Sequence, residues 1–225
     1  MIDESRHMAR LDRSLKELRI ARPMSSRALA MVLRETIRRN RVRDGIIYLQ
    51  VTRGVAKRDF PFPTENTRPS LVVTARSNDL DRLDQVAAEG VSVVTVPDIR
   101  WKRVDIKSVA LLPNVLAKQV AREQGAREAW LVDAKGRITE GSSSSAWIVS
   151  RDGKLITHPL GEDILPGITR SVVIDIILDE AGSPHLAIER QAQLDGMGCR
   201  RRDEWEEAAK GNPPSGSRGP LLHHG

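Results

Sequence analysis

Lys107 is the residue of this sequence best placed to do covalent chemistry. It follows the run Val91–Val96, whose β-branched residues lie between a glycine and a proline and predict a buried strand. A lysine held just past a strand end can condense with an aldehyde to form a Schiff base, provided that its surroundings lower its pKa. Three neighbouring cations would lower it: Arg100, Lys102 and Arg103. The same cations also fit a solvated charge run, so spacing alone does not decide.

A second stretch, Ile164–Arg170, has the chemistry of an anion site. A glycine turn that runs into a helix presents backbone N–H groups and the positive end of the helix dipole to a phosphate. Gly167, Ile168 and Thr169 would be the donors. An ordinary Pro-Gly turn is the alternative interpretation of the same residues.

The elements that must position these residues alternate between helix and strand. Two apolar stripes between Glu4 and Arg41 predict two helices, with Ser25 or Ser26 as the N-cap of the second. Strands are expected at Ile46–Gly54 and Leu71–Ala75, and we expect them to pair. The fold class is therefore mixed α/β. We expect a small domain at 1–77, a larger one at 78–190 and a disordered tail at 191–225.

The larger expected domain combines one helix with short strands in hairpins. Pro113–Gly125 predicts a helix that ends at a glycine C-cap. Glu128–Val132 and Arg137–Thr139 predict a hairpin that leads to Glu140. A further strand pair, Ala146–Val149 and Lys154–Thr157, is expected around a turn at Arg151–Gly153, before a helix from Ile168 to Leu178.

Composition narrows the class of protein. The chain has 225 residues, of which 40% are hydrophobic and only 3% aromatic, so its core must rest on aliphatic side chains. A single cysteine, Cys199, excludes an internal disulfide and a cysteine-rich metal site. Neither a membrane span nor a signal peptide is expected, and the protein is expected to be cytoplasmic. A net charge of +6 could favour nucleic-acid binding. However, the arginines at 34–43 have no aromatic residues between them, so they indicate a solvated helix face instead of a nucleic-acid site.

Three motifs in order resemble those of the class IV aminotransferases, the fold-type IV pyridoxal-phosphate enzymes, and most closely their D-amino acid aminotransferase branch. They are Asp105–Ser108, Ile138–Ser145 and Ile164–Arg170, and the resemblance runs from about Arg6 to about Arg190. It implies the two-domain fold of that family and a homodimer. It also implies pyridoxal 5'-phosphate (PLP) as cofactor, with no metal.

The resemblance also implies roles for single residues. Lys107 matches the lysine that attaches to PLP and moves the proton of the substrate α-carbon, and Glu140 matches the acid that faces the pyridine nitrogen. Gly167, Ile168 and Thr169 match the phosphate loop. Arg10 falls where the family has a phosphate-binding arginine, with Arg13 close enough to compete for that role. A hairpin-end surface carboxylate and a solvated helix arginine are the alternatives for Glu140 and Arg10.

Substrate recognition is less complete than cofactor recognition. Arg58 matches an arginine that helps to hold the substrate carboxylate, but Phe60 stands where the branch has its partner histidine, and Ser145 replaces a common asparagine. The implied reaction is transamination between an amino acid and a 2-oxo acid, with D-alanine and 2-oxoglutarate as the leading pair. Branched-chain L-amino acids are the close alternative, and a lyase acting on aminodeoxychorismate ranks third.

The ends of the chain depart from the family pattern. Family members begin with an extra pair of strands and continue beyond Arg190 with further strands and a Ser/Thr loop, whereas Gln191–Gly225 lacks β-formers such as Val, Ile and Thr. We expect a truncated or frame-shifted reading frame. A non-catalytic remnant of the family is therefore an alternative to an active enzyme.

Overall fold

The computed structural model describes residues 1–63, 67–150, 155–180 and 188–189. Backbone contacts separate the chain into two compact units, Met1–Gln85 and Val86–Gly225, each of which is described below by itself. The expected disordered tail at 191–225 and the expected turn at Arg151–Gly153 lie outside the described residues.

The first unit consists of two helices and a two-stranded sheet. Helix α1 is Glu4–Glu17 and helix α2 is Ser26–Arg39. Ser25 caps α2, because its side chain accepts a hydrogen bond from the Ala28 backbone N–H at 3.3 Å. Strand β1, Gly45–Thr52, pairs antiparallel with β2, Ser70–Ser77. The expected pairing of these two strands is confirmed.

The core of the first unit is aliphatic. Three leucines of the two helices, Leu15, Leu29 and Leu33, are buried. The basic face of α2 is exposed and carries its own counter-charges, since Glu35 pairs with Arg38 at 2.6 Å and with Arg39 at 2.7 Å. This arrangement is the solvated helix face that the sequence indicates.

The second unit is built on a three-stranded sheet. Helix α3, Leu80–Glu89, spans the division between the units and precedes β3, Val93–Pro97. Strand β3 runs parallel to β4, Glu128–Val132, and helix α4, Leu112–Glu123, connects them. Strand β5, Ile138–Gly141, then pairs antiparallel with β4.

Both faces of β4 are covered, because successive side chains of a strand point to opposite sides. Ala129 and Leu131 pack with Val94 and two alanines of α4 in one core cluster. Trp130 packs with Ile138 and Ala146 in another. The middle strand of the sheet is therefore fixed from both sides, and the residues at its start and end are held in place.

The remaining elements follow β5. Strand β6 is Trp147–Val149, and it pairs antiparallel with β7, Leu155–Thr157, which pairs parallel with the short β8, Ile188–Glu189. Helix α5 is Ile168–Glu180. In the described part of the chain, no helix has both the length and the apolar character needed to cross a bilayer.

Candidate active site

Glu140 is a buried carboxylic acid on β5. Its residue is 8% exposed, and all four residues of β5 are buried. The carboxyl group contacts the Arg100 guanidinium, and both of its oxygens lie 3.2 Å from the backbone N–H of Leu165, which donates to them. The alternative that Glu140 is a solvated hairpin-end carboxylate does not fit this burial.

Arg100 joins Glu140 to the end of β3. Asp98 follows β3 directly, and its backbone N–H donates to the Val132 carbonyl at 2.8 Å, which fixes the chain there. The guanidinium of Arg100 donates to both oxygens of Asp98, at 2.9 and 2.7 Å, and to the Asp163 carbonyl at 2.9 Å. Its side chain is 4% exposed. One buried cation therefore lies between two carboxylates.

The pKa values of the two carboxyl groups shift in opposite directions. Burial raises the pKa of Glu140 above its ordinary value, and the positive charge of Arg100 only partly offsets this. Burial would also raise the pKa of Asp98, but hydrogen bonds from Arg100 and Thr139 more than offset it, so that pKa is lowered. In this cluster Asp98 is thus the firm counter-ion of Arg100, and Glu140 is the group that takes up a proton more readily.

Lys107 is exposed and lies in the segment between β3 and α4, directly after the buried residues Asp105 and Ile106. Two of the neighbouring cations have carboxylate partners. Arg100 is paired with carboxylates, and Arg103 pairs with Asp105 at 3.0 Å. The charges of Arg100 and Arg103 are therefore both compensated by carboxylates.

The predicted phosphate turn leads into α5. Ile168 is the first residue of the helix, and Thr169 follows in its first turn. The first N–H groups of a helix have no acceptor within it, so this turn has the donors that an anion site needs. Its role in phosphate binding stays a prediction. A Cβ atom added to Gly167 would lie 3.3 Å from the Ser145 Oγ and 3.4 Å from the Arg170 Cβ. The glycine therefore allows a close approach of the chain at this point.

Arg170, in the first turn of α5, anchors the phosphate turn through its side chain. Its residue is 7% exposed, and its guanidinium donates to the His158 carbonyl at 2.8 Å. The same guanidinium lies 5.8 Å from the centre of the Trp147 ring, within range of a cation–π contact. The turn is thereby tied to the segment after β7 and to β6.

Two hydrogen bonds link the motif segments of the second unit, one directly and one through flanking residues. The Leu165 N–H bond to Glu140 links the phosphate turn to β5. The Val104 N–H donates to the Glu162 carbonyl at 3.1 Å, which links the segment before Lys107 to the segment before the turn.

Arg10 and Arg58 belong to the first unit. Arg10 is half-buried, which lowers the pKa of its guanidinium, and Arg58 is exposed between β1 and β2; their roles stay predictions.

A cavity of about 480 Å³ borders the buried cluster. Asp98, Arg100 and Thr139 are in its lining, whereas Lys107, Glu140 and Gly167 are not. The cavity therefore opens beside the Arg100 cluster and is not the space between the lysine, the acid and the phosphate turn.

Some residues of the site were not found from the sequence. The sequence marks Arg100 only as a neighbour of Lys107, and none of the three motifs contains Asp98 or Glu128. Arg100 and Glu140 are forty positions apart, and nothing in local periodicity pairs them. One sequence feature could have indicated Asp98 and Glu128: each is a charged residue at the end of an apolar strand. Asp98 follows β3, and Glu128 begins β4.

Comparisons with known proteins agree on one family. The model of the family Amino-transferase class IV matches residues 1–191. D-alanine aminotransferase of Staphylococcus aureus strain MSSA476 is 43% identical over 176 residues, which cover 77% of this chain and 60% of that protein. D-alanine aminotransferase of Staphylococcus haemolyticus is 41% identical over 175 residues, with the same shares covered.

A solved structure shows the same fold. The branched-chain amino acid aminotransferase of Thermobaculum terrenum in its PLP form superposes with a TM-score of 0.72 at 21% identity, over 86% of this chain and 62% of that one. The chain spans about 60% of the length of the curated relatives that it matches.

Proposed function

Because the chain belongs to the class IV aminotransferases, we propose that it acts in PLP-dependent transamination between an amino acid and a 2-oxo acid, with D-alanine as the favoured amino donor. The observation that carries the proposal is the hydrogen bond from the Leu165 N–H to Glu140. It joins the acid proposed for the ring nitrogen to the turn proposed for the phosphate.

The residues of the second unit fit PLP by their chemistry. The cofactor needs an amine for its aldehyde, a carboxyl group for its ring nitrogen and N–H donors for its phosphate. Lys107 has the amine, and Glu140 has a buried carboxyl group with a raised pKa. The N-terminal turn of α5 has the donors, and the absence of a Cβ at Gly167 leaves room beside Ser145.

When bound, PLP supplies an electron-withdrawing ring and an aldehyde carbon that accepts the amino group of the substrate. In the proposal Lys107 would hold the cofactor through its amine. Once the substrate amine has taken its place, the released neutral amine of Lys107 would carry the proton of the substrate α-carbon. Glu140 holds a proton toward the ring nitrogen, and Arg100 fixes the orientation of its carboxyl group. The backbone N–H groups of the turn hold the phosphate, and Arg58 is proposed for the substrate carboxylate.

D-Alanine is favoured over branched-chain L-amino acids on the strength of the sequence relatives. The proteins that are 43% and 41% identical to this chain are D-alanine aminotransferases. The resemblance to the branched-chain enzyme of Thermobaculum terrenum, at 21% identity, extends to the fold alone. A panel of D- and L-amino acids, assayed by release of the 2-oxo acid, decides between the two substrate classes.

Covalent trapping tests the cofactor site directly. The chain is mixed with PLP, reduced with borohydride and digested, and the labelled peptide is identified by mass spectrometry. We expect the label on Lys107, its loss in Lys107→Ala, and its retention in Lys102→Ala, which removes an exposed lysine of the same segment. A folded wild-type chain that takes no label, or takes it elsewhere, contradicts the proposal.

A further inference from the structure

Glu128 is a second buried acid, and the proposed chemistry does not use it. It begins β4 and is fully buried, at 0% exposed. One of its oxygens accepts from the Ser142 hydroxyl and from the Ala129 N–H at 2.8 Å. The other accepts from the hydroxyls of Ser143 at 2.8 Å and Ser144 at 3.3 Å, and Lys118 Nζ lies 3.2 Å away.

These donors keep Glu128 ionised. Burial would raise the pKa of Glu128, but the hydrogen bonds of Ser142, Ala129 and Ser143 and the charge of Lys118 together lower it below its ordinary value. An ionised carboxylate only accepts hydrogen bonds, so each of the three serine hydroxyls must donate to it. The direction of all three hydroxyl bonds is therefore fixed by one side chain.

The serine turn, Ser142–Ser144, folds tightly over this carboxylate. The Gly141 N–H donates to the Ser144 carbonyl at 2.7 Å, and the Ser142 N–H donates to the Ala129 carbonyl at 2.8 Å. A Cβ atom added to Gly141 would lie 2.5 Å from the Ser144 Oγ and 3.0 Å from the Ser144 carbonyl oxygen. Because the packing is this close, the serine turn keeps a single conformation while its hydroxyls are bound to Glu128.

The serine turn lies between the two parts of the candidate site. Glu140 is separated from it by Gly141 alone. Ser145 follows it directly, and its hydroxyl is the nearest atom to the vacant Cβ position of Gly167 in the phosphate turn, at 3.3 Å. Displacing the serine turn would therefore displace Glu140 on one side and loosen the wall of the phosphate turn on the other.

We propose that Glu128 is a positioning residue of this site: its carboxylate fixes the serine turn, and the serine turn fixes Glu140 against Leu165. The role of Glu140 toward the cofactor rests on the proposed function, but the positioning itself is a property of the cofactor-free chain. Glu128 contacts neither substrate nor cofactor in this proposal and acts only through the serine turn.

Amide hydrogen exchange of the cofactor-free protein, measured residue by residue by NMR, tests the proposal. The Leu165 N–H reports whether the Glu140 carboxyl group is in place, and the Gly141 N–H reports on the serine turn. In Glu128→Gln we expect both to exchange roughly tenfold faster or more, because the serines lose their anionic acceptor. Glu123→Gln, the same change at an exposed position of α4, should leave both unchanged.

The amides of Ala126 and Gln124, which donate to α4 carbonyls, are the internal reference. Unchanged Leu165 exchange in folded Glu128→Gln overturns the proposal, and so does a uniform acceleration that includes the reference amides. If Glu128→Gln does not fold, Ser143→Ala is judged by the same criterion, because it removes one donor and leaves the carboxylate its other partners.

The PLP-loaded protein provides a second measurement. We expect the pH profile of the visible absorption band of bound PLP to shift in Glu128→Gln and not in Glu123→Gln, because the acid at the ring nitrogen has moved. A wild-type chain that binds no PLP refutes the proposed function and leaves the Leu165 measurement intact, so the two failures are distinguishable.

Discussion

Glu128 and Glu140 are two glutamates buried in one unit, yet their surroundings differ in kind. Glu128 is enclosed by neutral hydroxyl and amide donors, with one lysine at the edge. Glu140 shares a buried arginine with a second carboxylate, Asp98. The pKa of Glu128 is lowered and that of Glu140 is raised. Burial therefore does not by itself set the direction of a shift.

One sheet thus holds, on the neighbouring strands β4 and β5, a carboxylate that stays ionised and a carboxyl group that takes up a proton more readily. A carboxylate whose oxygens are supplied with donors from several elements stays ionised and binds those elements together. A carboxyl group that competes with another acid for a single cation keeps its affinity for a proton. In the proposed function this proton is held toward the ring nitrogen of PLP.

The largest loss of stability is expected when Arg100, the cation that Asp98 and Glu140 share, is removed. Arg100→Ala leaves Asp98 and Glu140 buried without their partner, so we expect a loss of about 3–5 kcal/mol in the free energy of unfolding at pH 7. Urea denaturation followed by tryptophan fluorescence measures it. Lys102→Ala, in the same segment but exposed, is the control. A loss no larger than that of the control would show that the two acids do not depend on Arg100.

A smaller loss of stability is expected for Glu128→Gln. The pH dependence of this loss tests whether the pKa of Glu128 is lowered in the folded protein. The folded-state pKa of Glu128 lies below the ordinary 4.5, so its ionised form stabilises the fold above that pH and the contribution is lost as pH falls through the folded pKa. Glu128→Gln should lose about 1–3 kcal/mol of unfolding free energy at pH 7. The difference from wild type should shrink below pH 4.5.

Urea titrations of both proteins from pH 7 to pH 3 provide the measurement for Glu128. Glu123→Gln is again the matched control, and its difference from wild type should stay flat. If the gap between wild type and Glu128→Gln grew on acidification, the pKa of Glu128 would be raised in the folded protein, and the contrast with Glu140 would disappear.

The smallest effect is expected for Glu35, a solvated acid that has two charged partners, Arg38 and Arg39. Hydrogen bonds from Arg38 and Arg39 lower the pKa of Glu35 to about 2, yet the group is solvated. Water and salt screen such pairs. Glu35→Gln should leave the urea midpoint within experimental error of wild type at moderate salt. A loss that matches Glu128→Gln would mean that partners, and not burial, decide the contribution of an acid.

Local patterns predicted most of the secondary structure. Ser25 caps α2 as expected, and the helix expected to end at Gly125 ends at Glu123, with Gly125 following at a φ of +70°. Helix α3 is not among the elements predicted above, and it begins directly after the polar residues Ser77–Asp79, at the expected boundary between the two domains. The spacing of Leu80, Leu83 and Val86 within the helix was the signal available.

The candidate site was predictable only where a motif is contiguous. Lys107, Glu140 and the turn at Gly167 each lie in a short segment that carries its own pattern, and the family is confirmed. The contacts of Arg100 with Glu140 and of Glu128 with the serine turn span forty and fourteen or more positions. Such pairs depend on strand order and helix packing, which single-residue patterns do not contain.

Two of the hydrogen bonds that join the motif segments of the second unit and their flanking residues are donated by main-chain N–H groups, at Val104 and Leu165. Every amino acid except proline carries that donor. The side chains at these two positions can therefore vary without loss of these two hydrogen bonds, and a library that samples all residues there should return folded chains of many kinds, with proline as the exclusion.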